Sequence, residues 1–520
     1  MEVVPGQVLI MSQPENPPPP ANGGDGKTYR QIFKSTAIVG GAQIIQILIS
    51  IVRMKVLALL LGKTGVGLSS LYSSGVGLIG VVSGLGIGQS GVRQIAEAAG
   101  SGDEEKLART VRTLRFTSLI SGVIGALVVL VFCRQISQTT FNSTEYAGGF
   151  ALLSVGLVFV GLAAGQLALL QGLRRLREMA LAQIMGAVIG SIAAVVVVYF
   201  MGQRGVVWFL IAVTASSALA SWWFARRINV PKPHMTRADF FRETRGLLGM
   251  GMAFMTAKLV ADGTVYLTKV LILNHQLGLD SVALYHSASA MSSQYVGMIL
   301  GAMVADFSPR LAAAANDNPQ VNRLVNEQME LGVLLALPGV LATLAFAPWV
   351  LHLFYSGEFM DAAALLRWLV VGVFLRVVSW PLGMVLVAKG VSRLFISIEI
   401  AMGLLNIGLL LVCLKWWRLE GVGIAFAILY VAYTLVIWII CRRMSGYTIS
   451  SRGLKIVLAG SLIVATGFLL TRVENPAWSL GTGVLLTLIT SAGCYVGLRK
   501  LLQVDPWAAV MKKLGVRKAS

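Results

Sequence analysis

Charge is what this chain has least of. Asp, Glu, Lys and Arg make up 13% of its 520 residues, whereas a soluble globular protein carries about twice that fraction. Acidic residues are the scarcer sign, 23 against 43 Lys and Arg, which leaves a net charge of +20. The four cysteines, Cys133, Cys413, Cys441 and Cys494, sit in or at the ends of separate apolar runs without any CxxC spacing. That excludes a disulfide framework and a zinc site, and leaves them as small helix residues. His234, His275, His286 and His352 have no metal-ligand spacing either. The chain also lacks a P-loop, HExxH, GxSxG and paired carboxylates on one helix, so neither an ATP-driven pump nor an enzyme is expected. No cofactor is expected, and coupling to a proton or sodium gradient stays open. Gly86-x-Gly88-x-x-Gly91 matches a dinucleotide fingerprint in form only, because it follows no strand and lies inside an apolar run.

Apolar residues fill the space that charge leaves, at 56% of the chain with a mean hydropathy of +0.76. Runs long enough to cross a bilayer as helices recur from end to end. They are continuous rather than alternating, which excludes a β-barrel. The expected fold is an all-α polytopic membrane protein with about fourteen transmembrane helices. We place them near 33–61, 66–98, 113–133, 148–171, 180–201, 206–225, 246–273, 282–306, 328–349, 362–388, 394–414, 421–441, 454–471 and 480–502. Connections are short, and none is long enough for a soluble domain.

The basic residues could suggest a nucleic acid partner, but their positions exclude one. They cluster in loops after even-numbered helices, as in Lys106/Arg109/Arg112, Arg174/Arg175/Arg177, Arg226 to Arg245 and the tail from Arg499 to Lys518. Loops after odd-numbered helices hold few. This is the positive-inside pattern, and it puts both termini in the cytoplasm. The first thirty or so residues, with PENPPPPANGGDG, read as a disordered cytoplasmic tail. Val3–Met11 is too short for a secretory signal and lacks the basic flank.

An internal repeat organises the rest. Lys55-Val56-Leu57 recurs as Lys269-Val270-Leu271, 214 residues later, and Leu71-Tyr72-Ser73-Ser74 is echoed by Leu284-Tyr285-His286-Ser287. Ser90-Gly91-Val92-Arg93 has its counterpart in Ser308-Pro309-Arg310. The first twelve helices therefore form two six-helix lobes in the same orientation, related by a pseudo-twofold along the membrane normal. A further helix pair follows. The expected division is a tail at 1–30, an N-lobe at 31–233, a C-lobe at 234–445, and a pair with a basic tail at 446–520.

Ionisable residues inside a span are costly and normally face a bundle interior or a watery cavity. Gly246–Leu273 carries Lys258, Asp262 and Lys269. At about 100° per residue, Asp262 turns about 40° from Lys258 and Lys269 about 20°, so the three share one face. Lys258 is the deep cation and the first candidate to line a translocation pathway. The residues leave two roles open for Asp262, a coupling site or an ion-pair partner of Lys258. In the first helix Arg53 and Lys55 are about 200° apart and cannot both face one cavity. Arg53 is the deeper cavity candidate, whereas Lys55 and Lys269 are shallower and could snorkel to headgroups. Arg376 is mid-span and a cavity candidate, Arg367 is near a helix end, and Glu399 is the other deep acid. Gly80, Gly84 and Gly88 form a small-xxx-small face for close helix approach and bending.

These features resemble a known family. The two-lobe organisation and SIVRMKVLALLLGKTGVGLSSLYSS are similar to the multidrug/oligosaccharidyl-lipid/polysaccharide exporter superfamily. Lys269–Ala313 resembles its Wzx-type O-antigen repeat-unit flippases. The resemblance implies a multi-pass bacterial inner-membrane protein that moves an undecaprenyl-pyrophosphate-linked oligosaccharide between leaflets by alternating access. It implies a basic cavity between the lobes with Arg53 on its wall. It also implies membrane lipids and a polysaccharide polymerase as partners, and a monomeric transport unit. Many Wzx proteins stop after twelve helices, so the extra pair keeps a lipid II flippase in view. A proton- or sodium-coupled multidrug exporter is the other alternative. The excess of deep cations over Asp262 and Glu399 suits an anionic substrate better than a cationic drug.

Overall fold

Short polar side chains mark where the helices begin. Asp103 accepts from the Lys106 backbone N–H and Asp317 from that of Gln320. Ser450 caps the Gly453 amide, and Thr236 and Asp239 cap each other's N–H groups. Each cap satisfies an amide that the helix itself leaves without a partner. A computed structural model of the chain describes residues 25–228, 236–272, 277–472 and 476–502. Residues 1–24 of the expected tail and the basic tail beyond 502 lie outside the described residues.

Among the described residues the fold is all-helical. The long helix α1 (Asp25–Gly84) holds the first two expected spans and starts inside the segment expected as tail. It kinks at Gly62, whose φ of 63° and ψ of −170° are non-helical and suit glycine. The second span then breaks at Leu85–Gly86, both in the left-handed region, before α2 (Ile87–Gly100). The first lobe continues with α3 (Glu104–Val131), α4 (Cys133–Phe141), α5 (Ala147–Gly172), α6 (Leu176–Met201) and α7 (Val206–Ala225). The second comprises α8 (Arg237–Ile272), α9 (Gly278–Ala313), α10 (Asn318–Ala345), α11 (Ala347–Phe354), α12 (Ala363–Ala388), α13 (Ser392–Trp417) and α14 (Glu420–Ser445). The last pair is α15 (Ser451–Leu470) and α16 (Pro476–Leu502).

Ten stretches among the described residues are long and apolar enough to cross a membrane. Gly41–Gly100 and Leu176–Ala225 each hold two expected spans, and α8 and α9 are the more polar remainder, so the architecture is consistent with the expected count. Leu127, Val131, Ile192, Phe200, Leu404, Leu462 and Leu488 all point outward. Their exposure fits hydrocarbon rather than water.

The repeat is built into the backbone. Helices α3 and α10 are both 28 residues long and start 214 residues apart. Each ends in a phenylalanine of nearly the same conformation, Phe132 at φ −98° and ψ 14° and Phe346 at φ −100° and ψ 14°. A short helix, α4 or α11, follows each of them. Packing repeats too: α3 on α5, α5 on α7, α6 on α7 and α1 on α6 correspond to α10 on α12, α12 on α14, α13 on α14 and α8 on α13. The C-terminal pair breaks the symmetry. It packs on α10, with Gly460 against Phe374 and Gly467 against Leu341. There Glu330 is buried, accepting from Ser450 at 2.7 Å and facing Arg452 at 3.5 Å.

The lobes meet along α1, α8 and α9. At the end where α1 turns, Lys63 pairs with Asp361 at 2.7 Å, Thr64 donates to Asp280 at 2.7 Å, and Lys55 donates to the His352 carbonyl at 2.6 Å. A Cβ on Gly67 would lie 2.1 Å from the Leu279 carbonyl oxygen, so backbones touch there. A second backbone contact joins Gly86 to α8, where a Cβ would lie 2.1 Å from the Gly251 oxygen. The stripe expected to pack helices closely does so only in part. A Cβ on Gly80 would lie 3.0 Å from Leu157, but one on Gly84 would have nothing within 4 Å. Gly86→Ala should therefore cost about 1–3 kcal/mol from the left-handed backbone and the clash together. Gly84→Ala should leave thermal melting of the purified protein unchanged or slightly raised. Equal melting temperatures for the two variants would remove the Gly86–Gly251 contact as a constraint.

Candidate functional site

A cavity of about 790 Å³ lies between the first lobe and α8. Its near wall is the second limb of α1, where Gly77, Gly80 and Gly84 alternate with Ser73 and Ser83. Ser121 and Gly122 of α3, Gly156 and Gly161 of α5, and Thr214 of α7 continue it. The far wall is α8, with Met255, Lys258 and Asp262. Serine and threonine on a helix return a hydroxyl bond to the preceding turn, as Thr214 does to Leu210 and Ile211. The result is a smooth surface with polar spots and one charged pair.

Lys258 and Asp262 are that pair, 2.8 Å apart and both partly exposed to the cavity. Their spacing of one turn makes the contact local to α8. An accessible pair in this order along a helix contributes a few tenths of a kcal/mol, so its energetic role in holding the fold is small. Eleven residues further on, the same face of α8 meets α1 directly. There Lys269 is buried, donating to Ser74 Oγ at 2.6 Å and to the Ser70 carbonyl at 3.4 Å. Nearby, Tyr266 and Thr140 of α4 share a hydrogen bond of 2.8 Å.

The expected site residues therefore separate. Lys258 and Asp262 line the cavity together. Arg53, expected on the same wall, opens instead on a groove of about 490 Å³ between α1 and α6, walled by Val52, Val188, Ile192 and Val196. Lys55, two residues on and most of a half-turn away, reaches α11 of the other lobe. Lys55 and Lys269 are thus contacts between lobes rather than cavity walls or headgroup anchors. Arg376 is exposed on α12 beside Tyr430 and Tyr433 of α14, and Tyr433 donates to Glu399 of α13 at 3.0 Å. Arg376 and Glu399 thus belong to a polar group inside the second lobe, apart from Lys258. Arg367 donates to the Leu344 carbonyl at 3.4 Å.

Sequence reasoning passed over Tyr266, Thr140, His352 and Tyr433. A carbonyl or hydroxyl acceptor carries no pattern that marks it from a distance. The one available signal was Tyr430 and Tyr433 on a single face at helical spacing. Ser74→Ala should cost about 1–3 kcal/mol, because Lys269 keeps only its longer contact. Asp262→Asn should shift stability by less than about 1 kcal/mol. Thermal melts in detergent that reversed this order would make the Lys258–Asp262 pair a brace of the fold.

Comparison with known proteins agrees with this fold. The lipid III flippase of Escherichia coli (strain K12) is 26% identical over 398 residues, covering 74% of this chain and 91% of that protein. Among solved structures, an inward-facing multidrug resistance MATE family transporter of the MOP superfamily superposes with a TM-score of 0.65 at 18% identity, covering 77% of this chain and 94% of its own. The lipid II flippase MurJ in an inward closed conformation gives 0.64 at 15% identity, covering 88% and 99%. At those identities the structures show a shared fold. The polysaccharide biosynthesis protein family matches residues 56–364, from the middle of α1 across the lobe junction to the start of α12, and this membrane protein belongs to that family.

Proposed function

We propose that the protein is a flippase that moves an undecaprenyl-pyrophosphate-linked oligosaccharide, an O-antigen or related repeat unit, from the cytoplasmic to the periplasmic leaflet. The observation that carries this reading is the cavity between the lobes, with a cation on one wall and, on the other, glycine, serine and threonine set among valine and leucine side chains. Its volume of about 790 Å³ suits a short glycan. Hydroxyl-bearing walls offer sugars partners without strong hold, and Lys258 supplies a point charge for a pyrophosphate in a low-dielectric site. Arg376, exposed in the second lobe, is the second cation such a headgroup would meet. The flippase names of two similar proteins support the same substrate class.

Alternating access fits the kind of contact that joins the lobes. Lys55, Lys63, Thr64 and Lys269 hold the end where α1 turns through hydrogen bonds and one ion pair, which can be exchanged for water one at a time. With both termini cytoplasmic, that end is periplasmic and the present conformation is closed there. Residues 31–233 and 234–445 would then be the moving halves, and 446–520 would travel with the second. The transport unit is one chain in the inner membrane, handing its product to a polymerase.

Asp262 favours a second reading, a proton- or sodium-coupled multidrug exporter, because it is a carboxylate in the cavity. Replacement of the chromosomal gene by variants separates the two. Lys258→Ala and Arg376→Ala should each lower surface polysaccharide at least about tenfold, the loss expected for one charge-assisted contact, with protein levels unchanged. Arg53→Ala should have the smaller effect. Normal display from both the Lys258 and the Arg376 variant, with a loss of drug resistance, would replace the flippase by the exporter. Asp262→Asn should weaken the dependence of transport on an imposed proton or sodium gradient in vesicles. An unaltered dependence would leave Asp262 only as the partner of Lys258.

A further inference from the structure

A second cavity, of about 710 Å³, opens on the flank of the first lobe at the end that carries the basic loops. Helix α5 forms its floor, and α3 and α7 form its sides. Arg112 and Arg115 of α3 and Arg226 of α7 stand around it, and among the described residues no carboxylate lines it. Arg226 lies over the rings of Trp222, at 4.7 Å, and Trp223, at 3.8 Å. Arg115 donates to the Ala225 carbonyl at 3.3 Å. Phe116 and Leu119 supply an apolar side below the cations.

The floor holds an independent mark of a ligand. Gln166 Oε1 is buried, lines this cavity, and has no hydrogen-bond partner. Ser118 Oγ beside it is buried and equally unpartnered. A buried acceptor left unpaired costs about 1–3 kcal/mol, and such groups are normally satisfied. Gly165 lets α5 approach α3 closely: a Cβ there would lie 2.6 Å from Ser118 Oγ. The wall toward the central cavity is tight, since a Cβ on Gly161 would lie 2.6 Å from the Ser118 carbonyl. Ser118 forms part of the shared wall between this pocket and the one holding Lys258 and Asp262.

We infer that the pocket binds the headgroup of an anionic glycerophospholipid from the surrounding membrane. The phosphate would sit among Arg112, Arg115 and Arg226, which offer forked N–H donors suited to its oxygens. A headgroup hydroxyl would donate to Gln166 Oε1, and the first methylenes would lie on Phe116 and Leu119. Trp222 is half-exposed beside the pocket, and tryptophans are enriched at membrane interfaces. A phosphate without hydroxyls would leave Gln166 unpaired, so phosphatidylglycerol fits better than phosphatidic acid. The site needs no transported substrate and stands whether or not the flippase reading does.

The test uses the full-length protein in lipid nanodiscs and counts retained lipid by native mass spectrometry. Phosphatidylglycerol should be retained over phosphatidylcholine by the wild type. The double variant Arg112→Gln/Arg226→Gln should lose about thirtyfold in apparent affinity, at about fivefold per cation near a membrane surface. Gln166→Leu should keep anionic binding but lose the preference for phosphatidylglycerol over phosphatidic acid. Melting temperatures in pure phosphatidylcholine, equal for all variants, serve as the folding control; a variant that melts early is replaced by Arg112→Lys, which should retain part of the binding. Equal retention of both lipids by the wild type, or undiminished retention by the double variant, would overturn the proposal. Competition by soluble glycerol phosphate at the same concentration as lipid would reassign the site to free phosphate esters and would also overturn it.

Discussion

A charged side chain inside a bilayer must find water, a counter-charge or a set of dipoles, and this chain answers that demand differently at successive turns of the same helix. Low on α8, Lys258 has Asp262 and an open cavity. Higher up, Lys269 has no carboxylate and is held by a serine hydroxyl and a backbone carbonyl of the opposite lobe. Lys55 in the first lobe does the same with a carbonyl of α11. The paired lysines of the repeat are thus fixed by the other half of the molecule. The cavity is the space left where α8 draws away from α1 between Lys269 and the Gly251 contact.

The repeat gives each lobe one plan, but not one surface. Phe132 and Phe346 end their helices in the same way, and the same helices neighbour one another in both halves. Glycine, serine and threonine nevertheless line the cavity from the first lobe, while the second lobe places Arg376, Glu399 and Tyr433 within itself. The pair α15 and α16 covers α10 on one side only. Asymmetry of this kind gives a substrate different partners in each lobe without altering how the lobes pack.

Much of the architecture was legible in the sequence because hydrophobic length and loop charge act over whole helices. The matched Lys55 and Lys269 motifs gave the repeat, and the same offset of 214 residues separates the capping aspartates Asp103 and Asp317. Helix geometry also separated Arg53 from Lys55. It could not say which of them faced the other lobe, because that depends on where α6 and α11 lie. Lys269 looked shallow because depth was counted along one helix, whereas its burial comes from α1 packed across it. The glycine stripe was read as a packing face, and only neighbouring side chains decide whether a bare helix surface meets a partner or a void.

That bare surface has a kinetic consequence. Along Gly77, Gly80 and Gly84 the near wall is main chain whose hydrogen bonds are already made within the helix. These three positions have no rotamers to rearrange around a guest, whereas Tyr72, Val76 and Val81 beside them do. On the proposed pathway, a molecule moving past would meet few side chains on these turns, and its dwell time would be set largely at the opposite wall by Lys258 and Asp262. On that pathway the glycines would act as a low-friction track, and enlarging one of them would slow passage before it altered what is recognised.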